Sequence, residues 1–363
     1  MKTVLQCLLA AWVFLMAPKL WAIEPPAWSA RATEAIWVAP EFRFSTGEVL
    51  KSVKFLYHTL GTPRRDSSGR IINAVLLLHG TTNVGAEFLL PSLASQLFGA
   101  GQPLDAAEYY VIMPDGLGRG GSTKPSDGLK GHFPRYGYSD LVAGQYRLVT
   151  EALGVEHLRL VLGVSMGGMN AWQWAEAYPD MMDAVMPIAC TPARVSGRNL
   201  LIRRVVTESI RHDPDWRGGD YQDQPPGFIY TFPLFTAFTQ GLATLQAEAP
   251  DFAAGQTFFG QLVQRVRTTL DANDILYGLE ASYDYDPEPD LGKIKAQVMA
   301  VNFADDALNP VELGTLARLV ARVANAKAVV VPVAPISNGH FSLLQGSLWR
   351  PHLESLLAAL PPM

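Results

Sequence analysis

The sequence predicts an α/β fold, a doubly wound and mostly parallel sheet with an inserted helical cap. Short apolar runs bounded by Gly and Pro recur along the chain, and segments with the spacing of amphipathic helices fall between them. The alternation stops between about Val195 and Pro289, where aromatics, Pro and Gly concentrate. Several of the runs are almost continuously apolar, as strands covered on both faces of a parallel sheet must be.

In chain order, residues 53–58 and 74–78 read as the first strands, followed by 109–113, 158–162, 184–188, 297–303 and 328–333. Residues 141–153 and 169–178 have the length and apolar spacing of helices, and 313–324 follow Pro310 in the same way. Helical pieces at 200–211 and 258–270 lie inside the interruption. The division expected is a leader over 1–22, a core made of 23–194 and 290–363, and a cap or lid over 195–289. No internal repeat or low-complexity tract appears.

With 363 residues, 48% hydrophobic and 17% charged, the chain has globular composition and can bury a large core. A net charge of −5 without a run of Lys or Arg gives no footprint for nucleic acid. Lys2 precedes an apolar stretch from Val4 to Met16, then Pro18 and Ala22. This is the layout of a bacterial-type signal peptide cleaved after Ala22, with an uncleaved anchor as the alternative because Leu20 fits the cleavage pattern poorly. The expected location is therefore periplasmic or secreted, with no stable membrane insertion once the leader is removed. Only Cys190 would remain, so no internal disulfide is expected, and its apolar surroundings suit a buried small hydrophobe.

The chemistry concentrates at Gly163-Val164-Ser165-Met166-Gly167, between a predicted strand and a predicted helix. In that setting G-x-S-x-G is a nucleophile elbow, a sharp turn that lifts the serine hydroxyl above the sheet. A serine is a weak nucleophile until an imidazole accepts its proton, and the imidazole needs a carboxylate to fix its tautomer. The order Ser, Asp, His is met by Asp306 after the strand at 297–303 and by His340 in Asn338-Gly339-His340. Asp306 is preferred to its neighbour Asp305, which reads as a capping or surface acid. His340 is preferred to His352, which falls in a helical stretch. The expected oxyanion donors are the N–H groups of Met166 and of Thr81 in His79-Gly80-Thr81-Thr82, with His79 pinning that loop.

Gly116-Leu117-Gly118-Arg119-Gly120-Gly121 fits a dinucleotide fingerprint, but Pro125, Gly128, Gly131 and Pro134 follow where a helix would have to start. It reads as a loop beside the site. The histidines are scattered and no paired-ligand spacing occurs, so neither a metal nor any other cofactor is expected.

With these residues placed, the chain resembles the homoserine O-acetyltransferase branch of the α/β-hydrolase superfamily from about Gly47 to His340. The resemblance rests on residues 163–169, on Ser209-Ile210-Arg211-His212-Asp213-Pro214-Asp215-Trp216-Arg217-Gly218-Gly219-Asp220-Tyr221, on Asp271-Ala272-Asn273 and on Asp306-Ala307-Leu308-Asn309-Pro310. It supports Asp306 as the acid and places Thr81 at the family's oxyanion leucine. It also implies a cap arginine for the carboxylate of homoserine and an aspartate after the histidine for its amine. Those positions hold a residue near Phe232 and Phe341. A zwitterion buried there would lose both charge partners.

The expectation is accordingly a serine hydrolase acting on a neutral carboxylic ester, with Phe232, Phe341 and Tyr230 lining the pocket. An acyltransferase of the homoserine type and a non-catalytic binding homologue are the alternatives. The partner expected is a small acyl substrate, and a homodimer is compatible with the sequence.

Overall fold

The computed structural model describes residues 28–363, so the leader read at residues 1–22 lies outside the described residues. The strands are β1 (Thr33–Arg43), β2 (Val49–Leu60), β3 (Ala74–Leu78), β4 (Tyr110–Pro114), β5 (Leu158–Val164), β6 (Met182–Ile188), β7 (Gln297–Phe303) and β8 (Ala326–Val331). They form an eight-stranded sheet in the order β1-β2-β4-β3-β5-β6-β7-β8. The β1–β2 and β2–β4 pairs are antiparallel and the remaining pairs parallel.

All residues of β3 and β5 are buried, the consequence of lying mid-sheet under helices on both faces. β1 is the strand the sequence hides. At the sheet edge it carries Pro40, and its apolar run at residues 35–39 leaves Ile36 and Val38 exposed while Ala39 is buried, so the run is not that of a strand covered on both faces. Its Trp37 lies opposite Phe55 in register and stacks on it with ring centres 5.6 Å apart.

Helices before the cap are α1 (Pro91–Leu97), α2 (Tyr138–Arg147) and α3 (Met166–Ala177). Those of the interruption are α4 (Gly197–Arg211), α5 (Pro226–Thr239), α6 (Leu242–Glu248), α7 (Phe252–Thr269) and α8 (Ala272–Glu280), and after it come α9 (Thr315–Val320) and α10 (Gly346–Ala358). The sheet separates two cores. Leu76 and Leu78 of β3 join residues of α2, α3 and α9 on one face, while Val75 and Leu77 join residues of α1 and α10 on the other.

The cap helices enclose a third core in which Ile202, Val206 and Ile210 of α4 meet Phe228, Phe232 and Phe235 of α5. Leu308, two residues after Asp306, belongs to the same cluster and ties it to the sheet edge. α5 begins with proline at its first turn, where a missing N–H costs nothing, and tolerates Pro233 inside it. The two motifs of the cap meet each other: Asn273 accepts from the indole of Trp216 at 2.8 Å and donates to Gly219 O, and Tyr221 donates to Asp271 at 2.7 Å.

Candidate active site

Ser165 sits between β5 and α3 with φ 53° and ψ −116°, a left-handed backbone that a non-glycine residue adopts only under constraint. The constraint is visible in the neighbours. Its N–H donates to Ile188 O on β6 at 2.8 Å, and its carbonyl accepts from Met169 N at 2.9 Å. A Cβ on Gly163 would lie 2.0 Å from Gly167 O, and one on Gly167 would lie 2.0 Å from Leu78 O. Only glycine permits the strand, the turn and β3 to approach this closely.

In the sheet, Leu78 of β3 lies opposite Gly163 of β5. The chain runs from β3 to β4 on one side and then crosses to β5 on the other, so the C-terminal ends of β3 and β5 flank a topological switch point, where open α/β sheets place their ligands. Asp306 follows β7 on the same edge, and His340 comes from the loop after β8.

These three residues meet. His340 Nε2 lies 2.8 Å from Ser165 Oγ, and His340 Nδ1 lies 2.8 Å from Asp306 Oδ2. All three are buried. Asp306 accepts further hydrogen bonds from Leu308 N at 2.9 Å and from the Asn309 side chain at 3.0 Å. Burial by itself raises a carboxyl pKa, but the electrostatic pull of the adjacent imidazole and these hydrogen bonds outweigh it and hold Asp306 below the ordinary carboxylate range. An ionised Asp306 can accept only, which puts the Nδ1 proton of His340 on its side and leaves Nε2 free to accept the serine proton.

Asp305 has a different role from the capping or surface one expected of it. Its Oδ2 accepts the N–H of Gly339 at 2.8 Å, so it anchors the histidine loop from behind while Asp306 anchors the imidazole. His352 lies in α10, which packs on α1 and β7, and the structure does not bring it to Ser165.

Met166 is the first residue of α3, so its N–H is one of the helix's unpaired donors. Thr81 is buried at the end of the loop after β3, and no described residue accepts its N–H. A Cβ on Gly80 would stand 3.8 Å from Ser165 Cβ, which places this loop against the serine. His79 fixes the loop by donating from Nδ1 to Gly80 O at 2.7 Å and accepting at Nε2 from Gly116 N at 2.9 Å. Burial lowers the pKa of His79, in keeping with a neutral imidazole that accepts a backbone N–H.

Two neighbours of this loop were not legible in the sequence. Arg119, from the loop that mimics a dinucleotide fingerprint, donates Nε and Nη2 to Thr81 O at 2.9 and 2.8 Å and so fixes the Thr81 peptide through its carbonyl. No helix starts at that loop; the next helical turn is Pro125–Asp127. Glu87 accepts the N–H of Gly80 at 3.2 Å and the amide of Asn83. Burial pushes its carboxyl up to about 7, against the pull of those hydrogen bonds and of His340. A lone buried acid has no periodic signature, and only its place seven residues after Gly80 hints at contact with the loop.

Of the expected pocket residues, Phe232 is buried between Phe228 and Phe235, stacking on Phe235 at 5.6 Å. Phe341 is half-buried beside His340. Tyr230 is 55% exposed, because a two-residue step along α5 turns it away from the buried face that carries Phe228, Phe232 and Phe235. Tyr230 therefore lies off the buried face that carries Phe232. Cys190 is buried, with Gly168 so near that a Cβ there would lie 2.7 Å from its sulfur; burial raises its thiol pKa far above the ordinary value.

A nucleophile elbow on this sheet, with an imidazole and a carboxylate behind it, defines an acyl-handling enzyme class. Residues 73–332 match the family model for the alpha/beta hydrolase fold, and the chain belongs to that family. Within it, the chain is 30% identical over 281 residues to a probable acyltransferase of Methanothermobacter thermautotrophicus, covering 76% of this chain and 83% of that one. It is 29% identical to the homoserine O-acetyltransferase of Zymomonas mobilis, covering 84% of this chain and 90% of the relative. Among solved structures, the acetyl esterase MekB superposes with a TM-score of 0.78 at 22% identity, covering 91% of this chain and 98% of the esterase. The homoserine O-acetyltransferase of Bacillus anthracis gives 0.74 at 20% identity, covering 90% and 97%. The protein is thus an enzyme of the α/β-hydrolase superfamily with both esterase and acyltransferase neighbours.

Proposed function

We propose that the protein is a serine esterase that hydrolyses a neutral carboxylic ester through an acyl-enzyme on Ser165. The observation that carries the acyl-enzyme is the unbroken hydrogen-bonded chain from Ser165 through His340 to Asp306. Ser165 Oγ attacks the ester carbonyl while His340 Nε2 takes its proton. The new C–O bond leaves an oxyanion facing the N–H groups of Met166 and Thr81. Collapse of the intermediate expels the alcohol, which takes the proton from His340. Water then repeats the cycle on the acyl-enzyme and releases the acid.

Phe341, directly after the base, favours hydrolysis over transfer to homoserine. The resemblance to homoserine acetyltransferases implies an aspartate at that place to hold the substrate amine, and a cap arginine at a position that falls near the buried Phe232. Without a counter-charge at either position, burying an amino-acid zwitterion costs several kcal/mol. The leader read at residues 1–22, taken as an export signal, adds to this reading by separating the enzyme from cytoplasmic acyl-CoA. A second reading, acyl transfer, is favoured by the likeness to the homoserine O-acetyltransferase of Zymomonas mobilis.

Incubation of the mature protein with a panel of neutral esters, amides and lactones tests the proposal. Release of acid from short esters is the expected result. Failure to turn over any of them, with transfer from acetyl-CoA intact, would overturn it.

A further inference from the structure

α4 has two working faces. Ile202, Val206 and Ile210 enter the cap core, while Arg203, Thr207 and Arg211 recur at four-residue steps on another face, beside Arg204. That second face lines a cavity of about 480 Å³ closed by the C-terminal part of α8 and the turn that follows it. Ser165, Asp306 and His340 are absent from its lining.

The lining is strongly cationic. Arg135, Arg194, Arg203, Arg204 and Arg211 face Glu280 as the one carboxylate of the wall. Arg211 pairs with Glu280, Arg194 with Asp286 and Arg204 with Glu208, while Arg135 lies 3.9 Å over the ring of Tyr283. Arg203 differs. It is 3% exposed, and its contacts are to neutral oxygens: Nε to Asn199 at 2.9 Å, and Nη1 to Leu279 O at 3.2 Å and to Tyr138 Oη at 3.5 Å. Its Nη2 has no hydrogen-bond partner among the described residues. No ion pair reaches it, although a guanidinium stays charged at every physiological pH.

A buried, uncompensated cation is unfavourable in a folded protein, and the compensation is normally an anion. Guanidinium presents a fixed fork that matches carboxylate and phosphate oxygens two at a time. The volume is that of a small-molecule site. We infer that this cavity binds a small, multiply charged oxyanion, a phosphorylated or polycarboxylate molecule, with Arg203 as its innermost contact and Arg204 and Arg135 at its mouth. This binding activity stands apart from acyl chemistry at Ser165.

Calorimetry on the Ser165→Ala protein, which cannot turn over an acyl substrate, tests the site with inorganic pyrophosphate and with citrate. Saturable binding of at least one, weakened tenfold or more by Arg203→Met and by Arg204→Gln and falling as salt rises, is expected. The choice between the two probes reports whether phosphate or carboxylate is preferred. Arg203→Met in the absence of any anion should melt at or above the parent temperature, because it removes the uncompensated charge; a cation that served structure alone would melt lower. Arg204→Gln, at an exposed position, decides the matter if Arg203→Met does not fold. Absence of binding by either probe, or parental affinity in the variants, would overturn the inference, whatever the enzyme does to esters.

Discussion

The main-chain N–H of His340 donates to the carbonyl of Thr239 at 2.8 Å, so the last residue of α5 in the cap holds the base of the active site. The junction is reinforced by Gly241 N, which donates to the Asn338 side chain at 2.9 Å. The two loops are in backbone contact: a Cβ on Gly241 would lie 2.8 Å from Gly339 N. The loop that carries the base is therefore joined to the cap at its backbone.

Gly241→Ala should displace the histidine loop while leaving Ser165 in place. A misplacement of about 1 Å at a reacting group costs on the order of 100-fold in rate. The expected result is a kcat lowered by roughly 10- to 100-fold with a small change in KM. Steady-state kinetics beside a thermal melt separate this from general unfolding. An unchanged kcat in a folded variant would mean that the junction does not position His340.

Ser165→Ala should lose about 10⁶-fold in kcat with folding intact, since the members of such a triad act together. Asp306→Asn should lose on the order of 10⁴-fold by stabilising the wrong histidine tautomer. Asp305→Asn retains an oxygen that can still accept the Gly339 N–H, so its loss should be roughly tenfold or less. Parallel kinetics on the two acid variants check the assignment. A larger loss for Asp305→Asn would exchange their roles.

Arg119→Lys should weaken catalysis without weakening substrate binding. A single ammonium cannot reproduce the two-nitrogen grip on Thr81 O, and the Thr81 N–H then loses its aim at the oxyanion. Because the donor acts on charge that develops in the transition state, kcat should fall by about 10- to 100-fold at nearly constant KM. A rise in KM alone would show that Arg119 serves ground-state binding.

The Glu87 carboxyl makes stability depend on pH. In the folded protein it titrates at about 7 rather than at 4.5, chiefly through burial. The native state thus keeps a proton that the unfolded chain releases between those values, and stability falls as pH rises from about 4.5 to 7. The cost at higher pH is at most about 3 kcal/mol. Glu87→Gln should flatten this part of the profile, which chemical denaturation at pH 5 and pH 8 measures. A variant profile as steep as the parent's would assign the dependence to other buried acids.

The parallel strands and the elbow were legible because both leave local marks: apolar runs in the first case, glycines around a serine in the second. The apolar run at 297–303 coincides with β7, and Ser165, Asp306 and His340 follow from what each strand end must carry. β1 is hard to read because its apolar run stops at Pro40 and exposes Ile36 and Val38, and α5 because its prolines resemble those of a loop. Composition groups Tyr230 with its aromatic neighbours, whereas helical phase sends it to solvent. Arg119, Glu87 and Thr239 act through contacts between segments far apart in the chain. No spacing in the sequence encodes those.

The most direct test of the esterase proposal gives the protein one short neutral ester together with homoserine and measures where the acyl group goes. An esterase gives free carboxylic acid as the dominant product, shows no dependence of its rate on homoserine, and loses turnover in Ser165→Ala. Accumulation of O-acylhomoserine at the expense of free acid, from the ester or from acetyl-CoA, would contradict it and make the protein an acyltransferase.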